Sequence, residues 1–142
     1  GSGGAGLHRG GFGLDYEVEL RRGAARASFV MDHGRTGPQG ALGGADGAVN
    51  VVEVTRGGAL HVPPHLSKEQ DIPLAPGDRV RVRTPGGGGY GDPFARDPAL
   101  VAEDVAEGRY SGAEAERLFG VVLKDGVADP EATARLRQGT RS

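Results

Sequence analysis

Residues 77–93 read Gly-Asp-Arg-Val-Arg-Val-Arg-Thr-Pro-Gly-Gly-Gly-Gly-Tyr-Gly-Asp-Pro, the most informative string in the sequence. Arginine and valine alternate over its first half, which is typical of a strand with one wet and one buried face. The four glycines that follow leave the backbone free to face either a ligand or a neighbouring main chain. The stretch therefore predicts a strand that runs into a glycine loop, in which Tyr90 is the one large side chain.

Alternating apolar and polar residues predict further strands on the N-terminal side of this stretch. Residues 14–21 and 25–32 alternate in this way and are separated by a short Arg22-Gly23 turn, so an antiparallel hairpin is the simplest arrangement. Residues 33–48 contain six glycines and predict a long loop, either structured or flexible. The remaining predicted strands cover residues 49–54, 60–62, 72–74 and 79–84.

Helix signals replace strand signals after the glycine loop. Asp97 and Asp129 are each followed by proline, and Ser111 with Glu114 forms a capping box, so three short helices are predicted. Asp125-Gly126 predicts a small hairpin between the last two helices. The expected fold is mainly β, antiparallel, sandwich- or barrel-like with glycine-rich loops, and α+β overall. Residues 1–95 would form the glycine-rich β domain and residues 96–142 a helical C-terminal tail that packs on it.

Composition indicates that the fold has support from outside the chain. The length of 142 residues fits one domain, and 27 of them are glycine, in clusters without a triplet period. Glycine loses more backbone entropy on folding than any other residue. We therefore expect further polypeptide or a partner to stabilise the chain, and an oligomer as its working form.

Charge and composition also exclude several classes of protein. The formal net charge of −2 lacks the basic footprint of a nucleic-acid-binding domain. No stretch approaches the roughly 18 apolar residues that a membrane-spanning helix needs. The absence of cysteine excludes disulfides, thiolate metal sites and cysteine nucleophiles, and it fits a reducing cytoplasm. A cytoplasmic protein that binds neither nucleic acid nor membranes is expected.

Two glycine motifs resemble nucleotide-binding loops without their required context. Residues 1–6 match G-x-G-x-x-G, but Gly10, Gly11 and Gly13 prevent the helix that should follow. Gly86–Gly89 are not followed by the Lys-Ser/Thr pair of a phosphate-binding P-loop. We therefore expect no cofactor to be bound by this chain alone.

The histidines do not predict a metal site. His61 and His65 have i, i+4 spacing, but Pro63-Pro64 forbids the helix that would bring the two imidazoles together. Asp32-His33 could join a metal site or an acid–base pair, although a polar pair at a strand end is the commoner meaning. Spacing supports no Ser–His–Asp triad, so the catalytic residues stay unknown.

The glycine loops are the best candidates for a ligand-lining or interface-lining surface. Gly86–Gly89 and Tyr90 lie near the end of the 77–93 stretch, and residues 9–11 precede the first predicted strand. Close packing of main chain against main chain is the alternative interpretation of these glycines. The candidates are Arg9, Gly10, Gly11, Gly86, Gly87, Gly88, Gly89 and Tyr90.

Taken together, these motifs resemble the C-terminal signature of the hydantoinase B/oxoprolinase family. The resemblance is carried by Gly-Asp-x-Val-x-x-x-Thr-Pro-Gly-Gly-Gly-Gly-Tyr-Gly-Asp-Pro at 77–93 and by Arg-Asp-Pro-x-x-Val-x-x-Asp-Val at 96–105. Ser-Gly-Gly-Ala-Gly at 2–6, with Arg-Gly-Gly-Phe-Gly at 9–13, is similar to the family's glycine motif. Pro-Gln-Gly-Ala-Leu-Gly-Gly at 38–44 resembles its Pro-x-Gly-x-x-Gly-Gly loop.

The resemblance implies that the chain is the C-terminal segment of a longer B subunit of an ATP-dependent hydantoinase or 5-oxoprolinase. The implied partners are the remainder of that B subunit and an A-type subunit that binds ATP and magnesium. A divalent metal would be held by the upstream part of the B subunit. The isolated segment is expected to support the active site without being active itself.

Two alternatives remain open at this point. One is a segment of an acetone-carboxylase-type large subunit, and the other is a stand-alone β module that binds a ligand or partner without catalysis. His8 and residues 31–34 depart from the family's pattern. The substrate therefore stays open among hydantoin, oxoproline, another lactam and a ketone.

Overall fold

The computed structural model describes residues 1–140, which form eight strands and three helices. The strands are β1 Asp15–Glu19, β2 Ala25–Val30, β3 Val51–Arg56, β4 Ala59–His61, β5 Lys68–Leu74, β6 Arg79–Arg83, β7 Leu123–Lys124 and β8 Val127–Ala128. The helices are α1 Pro98–Ala106, α2 Gly112–Phe119 and α3 Pro130–Gly139, and a short 3-10 turn covers Pro93–Ala95.

The β part is an antiparallel sandwich with layers of unequal size. Four strands in the order β1-β6-β3-β4 form the larger sheet, and β2 pairs with β5 in the smaller one. Their facing sides enclose a core of Phe29, Val52, Val54, Ile72, Val80 and Val82. The predicted antiparallel, mainly β fold with three short helices is confirmed, and its described part forms an open sandwich rather than a closed barrel.

Strand β6 has the two-sided character that its arginine–valine alternation predicts. Val80 and Val82 are buried in the sandwich core. The arginines lie on the opposite face, where the register with β1 places Arg81 and Arg79 next to acidic residues. Arg81 donates to Asp15 from Nε at 2.8 Å and from a terminal nitrogen at 2.6 Å. The outer face is thus a row of ion pairs that suits contact with water.

The predicted hairpin of the first two strands is wrong. β1 pairs with β6 and β2 pairs with β5, so residues 20–24 carry the chain from one layer to the other. Leu20 continues the β1–β6 ladder, since its N–H donates to Asp78 and its carbonyl accepts from Gly77. Long-range pairing with β6 therefore overrides the local preference for a short hairpin. β5 also begins four residues earlier than predicted, because its polar first half is exposed beside β2.

Three glycine-rich stretches lie side by side next to the sandwich. We name residues 1–13, 37–48 and 84–91 the first, second and third glycine segments. Backbone hydrogen bonds join all three, for example from Gly4 N to Gly87 O, from Ala45 N to Ala5 O and from Gly89 N to Ala45 O, at 2.7–2.9 Å. The glycine-rich part of the long 33–48 loop is therefore structured.

The helices pack against the first glycine segment rather than against the faces of the sandwich. A second core contains Ala5, Val101, Tyr110, Ala115, Phe119 and Val121, with Phe12 packed beside it. The predicted caps are confirmed: Asp97 and Asp129 accept from backbone N–H groups, and Ser111 forms its capping box with Glu114. The hairpin predicted around Asp125-Gly126 is formed by β7 and β8.

Helices α1 and α3 are held by different kinds of contact. On α1, Val101 is fully buried while the neighbouring Leu100 is 45% exposed. On α3, Thr133 is buried and Arg137 donates to the carbonyl oxygens of Phe119 and Arg96. Polar contacts, which apolar patterning does not register, hold this helix. Among residues 1–140, no helix combines the length and apolar character needed to cross a membrane.

Candidate functional site

The third glycine segment lies against backbone of the other two at three of its four central positions. A Cβ atom at Gly86 would meet the carbonyl oxygen of Ser2, one at Gly88 that of Gln39, and one at Gly89 that of Ala5. Gly87 is less constrained, with Gly11 N 3.3 Å from its Cβ position. None of the four has a positive φ, so close approach rather than an unusual backbone conformation requires glycine here.

The first glycine segment shows the same arrangement with one exception. A Cβ atom at Gly10 would meet the carbonyl oxygen of Gly87. Gly11 is exposed and has no atom within 4 Å of its Cβ position. The packing of main chain against main chain that was one interpretation of the glycine loops is therefore observed. The second interpretation, a lining for a ligand or interface, stays a prediction for these residues.

Arg9 is held in place by helix α1. Its Nε donates to both carboxylate oxygens of Asp104, at 2.9 and 3.0 Å, and a terminal nitrogen lies 2.9 Å from the same carboxylate. This hydrogen bonding raises the pKa of Arg9 above its usual value. The guanidinium also lies over the ring of Phe12, 4.8 Å from its centroid. Arg9 therefore fixes the first glycine segment to the helical part.

Asp104 joins a second arginine to this cluster. Arg96 donates to Oδ2 of the same carboxylate at 2.9 Å and to the carbonyl oxygen of Leu7 at 3.2 Å. Both Arg96 and Asp104 are buried. A buried carboxylate between two guanidiniums is stabilised only as long as all three charges are present. The resemblance string at 96–105 contains both residues, but sequence spacing alone did not predict that Asp104 joins Arg96 to Arg9.

Tyr90 lies at an exposed end of the glycine segments. Its backbone exchanges hydrogen bonds with His8, at 2.8 and 3.0 Å, and forms a further bridge with Ala41. Its side chain is 50% exposed, and its ring centroid lies 6.2 Å from that of His8. Of the predicted candidates, Tyr90 thus presents a large side chain to the outside.

Leu42 borders the same end of the segments in an unusual conformation. It adopts a φ of 48°, in the left-handed region that a branched side chain rarely occupies, and its side chain is largely exposed. The neighbouring Ala41 donates its N–H to Gly89, and Gly91 donates to the carbonyl of Ala41. This bonding on both sides holds the turn in place. No sequence signal pointed to Leu42 as a strained position.

The histidines and acidic residues do not converge on a metal site within residues 1–140. No group of three or more histidine, aspartate or glutamate side chains in this range could hold a metal ion. His61 lies on β4, where its Nε2 is 2.7 Å from a carboxylate oxygen of Glu69 on β5. His65 and Asp32 border an open cavity of about 440 Å³ beside Lys68, which donates to Asp32 at 2.8 Å. The residues present thus do not fit the divalent metal implied by the resemblance.

Comparison with known proteins places these features in a family. A family model described as hydantoinase B/oxoprolinase matches residues 1–93, which include all three glycine segments. The chain is 39% identical over 140 residues to the caprolactamase subunit beta of Pseudomonas jessenii, covering 93% of this chain and 23% of the relative. It is 37% identical over 94 residues to the 5-oxoprolinase of Saccharomyces cerevisiae, covering 64% of this chain and 7% of the relative.

Solved structures show the same fold. The ATP-dependent caprolactamase from Pseudomonas jessenii matches with a TM-score of 0.76 and 31% identity, over 96% of this chain and 24% of the matched chain. Nucleotide-free acetone carboxylase matches with a TM-score of 0.65 at 24% identity, over 99% of this chain and 23% of the matched chain, and this match concerns the fold alone. The chain therefore spans about a quarter of the length of these proteins.

The matched residues contain the packed glycine segments and the sandwich that borders them. The resemblance seen in the sequence and the likeness in structure agree on one assignment. The chain belongs to the hydantoinase B/oxoprolinase family.

Proposed function

We propose that this chain is the structural segment of a B-type subunit in an ATP-dependent hydrolase of cyclic amides. The observation that carries the proposal is the likeness to caprolactamase, which extends over 96% of the chain in structure and 93% in sequence. The likeness to a 5-oxoprolinase over 64% of the chain supports the same class of reaction. The ring that is opened would be a lactam or a hydantoin.

Within that enzyme the chain supports the active site rather than supplying its chemistry. Three glycine segments packed backbone against backbone form a stiff unit, since the neighbouring main chains leave little space between them. The ion pairs of Asp104 with Arg9 and Arg96 hold the first segment on helix α1. This unit would present Tyr90, together with Gly11, to a ligand or to an adjoining surface of the enzyme.

ATP, magnesium and a divalent metal would be bound outside this chain. The third glycine segment lacks the lysine and hydroxyl residues of a P-loop, and its amides lie among other backbone segments. A partner A-type subunit would bind ATP, and the rest of the B-type subunit would hold the metal. This chain would contribute by positioning Tyr90 and Gly11 relative to the A-type subunit and to the rest of the B-type subunit.

An acetone-carboxylase-type subunit is the second candidate. The fold likeness to acetone carboxylase covers nearly the whole chain, but at 24% identity it concerns the fold alone. The higher identity to caprolactamase favours cyclic amides over ketones as substrates.

A chimeric enzyme tests the proposal. The segment of the Pseudomonas jessenii caprolactamase subunit beta that this chain matches would be replaced by this chain, and the chimera produced with the other components of that enzyme. We expect ATP-dependent opening of caprolactam, measured as ADP release and as amino acid product. A correctly assembled chimera without ring-opening activity on caprolactam, 5-oxoproline or hydantoin would contradict the proposal.

A further inference from the structure

The larger sheet of the sandwich is covered on its inner face only in part. In an antiparallel sheet, residues directly opposite one another point to the same face. Tyr16 and Val18 of β1 stand opposite Val82 and Val80 of β6. Both β1 side chains therefore belong to the inner, apolar face of the sandwich.

Two rows of side chains cross this face, and burial changes sharply along each. The first row is Tyr16, Val82 and Val52, and the second is Val18, Val80 and Val54. The four valines on β6 and β3 are almost completely buried, whereas Tyr16 is 43% and Val18 is 56% exposed. The smaller sheet, with only β2 and β5, thus leaves the apolar side of β1 uncovered.

The opposite face of β1 is already suited to water. Asp15 and Glu17 are paired there with Arg81 and Arg79, at 2.6 and 3.4 Å. A strand with a charged face of this kind normally has its apolar face buried. The charge pattern therefore identifies the apolar side of β1 as the side that lacks its cover.

We propose that the rest of a B-type subunit covers this apolar side of β1 and completes the smaller layer of the sandwich. The inference rests on the proposed function, because that function makes the rest of the subunit the partner. The chain spans about a quarter of the length of the caprolactamase chain it matches, so three quarters of such a polypeptide is the available partner. Its contacting surface would be an apolar segment that packs on Tyr16 and Val18.

A second copy of this chain is disfavoured as a strand added to the free edge of β1. Leu14 and Leu20 direct their backbone groups to β6, so alternation directs those of the odd-numbered residues to the free edge. Antiparallel pairing of two β1 edges centred on Glu17 would place Glu17 opposite Glu17 and Asp15 opposite Glu19. Like charges directly opposite each other destabilise a strand pair.

A binding measurement tests the inference without any need for turnover. The probe is the Pseudomonas jessenii caprolactamase subunit beta from which the segment matched by this chain has been removed. The double substitution Tyr16→Thr and Val18→Thr places a β-branched residue suited to a strand at both positions but removes the large apolar side chains. Loss of a buried aromatic and a buried valine should raise the dissociation constant at least about 30-fold.

The matched control is Leu60→Thr, an exposed residue on β4 at the opposite edge of the same sheet. This variant should bind the probe as the parent does. Equal affinity of the parent and the double variant would overturn the inference. Sedimentation of the isolated chain as a dimer that the double substitution dissociates would also overturn it, because the occupant would then be a second copy.

Amide hydrogen exchange keeps the test decisive where the truncated probe fails to fold. The N–H groups of Tyr16 and Val18 belong to the β1–β6 ladder, and they should exchange at least about tenfold more slowly in the chimeric enzyme than in the isolated chain, because a cover over these side chains opposes local opening of β1. Equally fast exchange in both would overturn the inference. Neither measurement depends on ring opening, so failure of this inference and failure of the proposed function give different results.

Discussion

Arg9 donates hydrogen bonds from Nε to both carboxylate oxygens of Asp104, at 2.9 and 3.0 Å, and joins residues that lie 95 positions apart. Arg96 contacts the same carboxylate. The carboxylate of Asp104, which lies on α1, therefore links this helix to the first glycine segment through Arg9. Through Arg96 it also contacts the connection between the third glycine segment and α1.

Replacement of Asp104 should have a large effect on stability. In Asp104→Asn, the guanidiniums of Arg9 and Arg96 lose their counter-charge in a buried site, which should lower the free energy of unfolding by about 3–5 kcal/mol. Glu107→Gln is the matched control, since Glu107 is exposed and pairs with the exposed Arg109. Urea unfolding followed by circular dichroism compares the variants. Similar midpoints for Asp104→Asn and the parent would show that the cluster contributes little.

Alanine at Gly88 should destabilise the chain, because its Cβ atom would collide with the carbonyl oxygen of Gln39. Overpacking of this kind costs about 1–3 kcal/mol. Gly11→Ala is the control, since nothing lies within 4 Å of the Cβ position of Gly11. Denaturant unfolding of both variants measures the difference. Equal stability of the two would mean that the glycine segments are not packed as described.

Phe119→Ala should remove the largest fully buried side chain of the helical core. Phe119 is fully buried and its ring packs edge-on against Tyr110, with 5.2 Å between centroids. Truncation of a buried aromatic residue costs about 3–5 kcal/mol. Leu100→Ala on α1 serves as the control because Leu100 is 45% exposed. An unchanged unfolding midpoint for Phe119→Ala would place α2 outside the folded core.

Asp78 should make stability sensitive to acid. Its carboxylate accepts from the N–H groups of Ala75 and Gly57, at 2.8 and 2.9 Å, and these bonds lower the pKa of Asp78 below its ordinary value of 3.8. A lowered folded-state pKa stabilises the fold above the ordinary pKa, and this contribution is lost as pH falls through the folded pKa.

The measurement is the unfolding midpoint of the parent and of Asp78→Asn across the acid range below about pH 4. The parent should lose stability over this range more steeply than Asp78→Asn. Asp71→Asn is the control, since Asp71 forms an exposed ion pair with Arg26 and asparagine tolerates its φ of 66°. Parallel pH curves for the parent and Asp78→Asn would contradict the expectation.

Local signals in the sequence predicted most of the individual elements. The arginine–valine alternation of β6 and the caps at Asp97 and Ser111 involve neighbouring residues only, so this strand and these helix starts could be predicted from the sequence. The pairing of β1 with β6 could not be predicted, because it depends on residues about 60 positions away. A short connection such as residues 20–24 permits both a hairpin and a crossing between layers.

The candidate site was predictable only in outline. The glycines at 86–89 indicated close approach of something to the backbone, but sequence could not tell a ligand from the chain's own carbonyl groups. The contact of Asp104 with Arg9 has no sequence signature, because ion pairs between distant elements follow from the fold. Leu42 was missed for a similar reason, since hydrogen bonds on both sides impose its left-handed conformation.

The most direct test of the account is the turnover of the isolated chain beside that of the chimeric caprolactamase. ADP release and ring opening would be measured with caprolactam, 5-oxoproline and hydantoin, with a mock purification as the contaminant control. We expect no turnover by the chain alone and ATP-dependent opening of caprolactam by the chimera. Turnover by the pure chain above the mock control would contradict the claim that this segment supports the active site without supplying its chemistry.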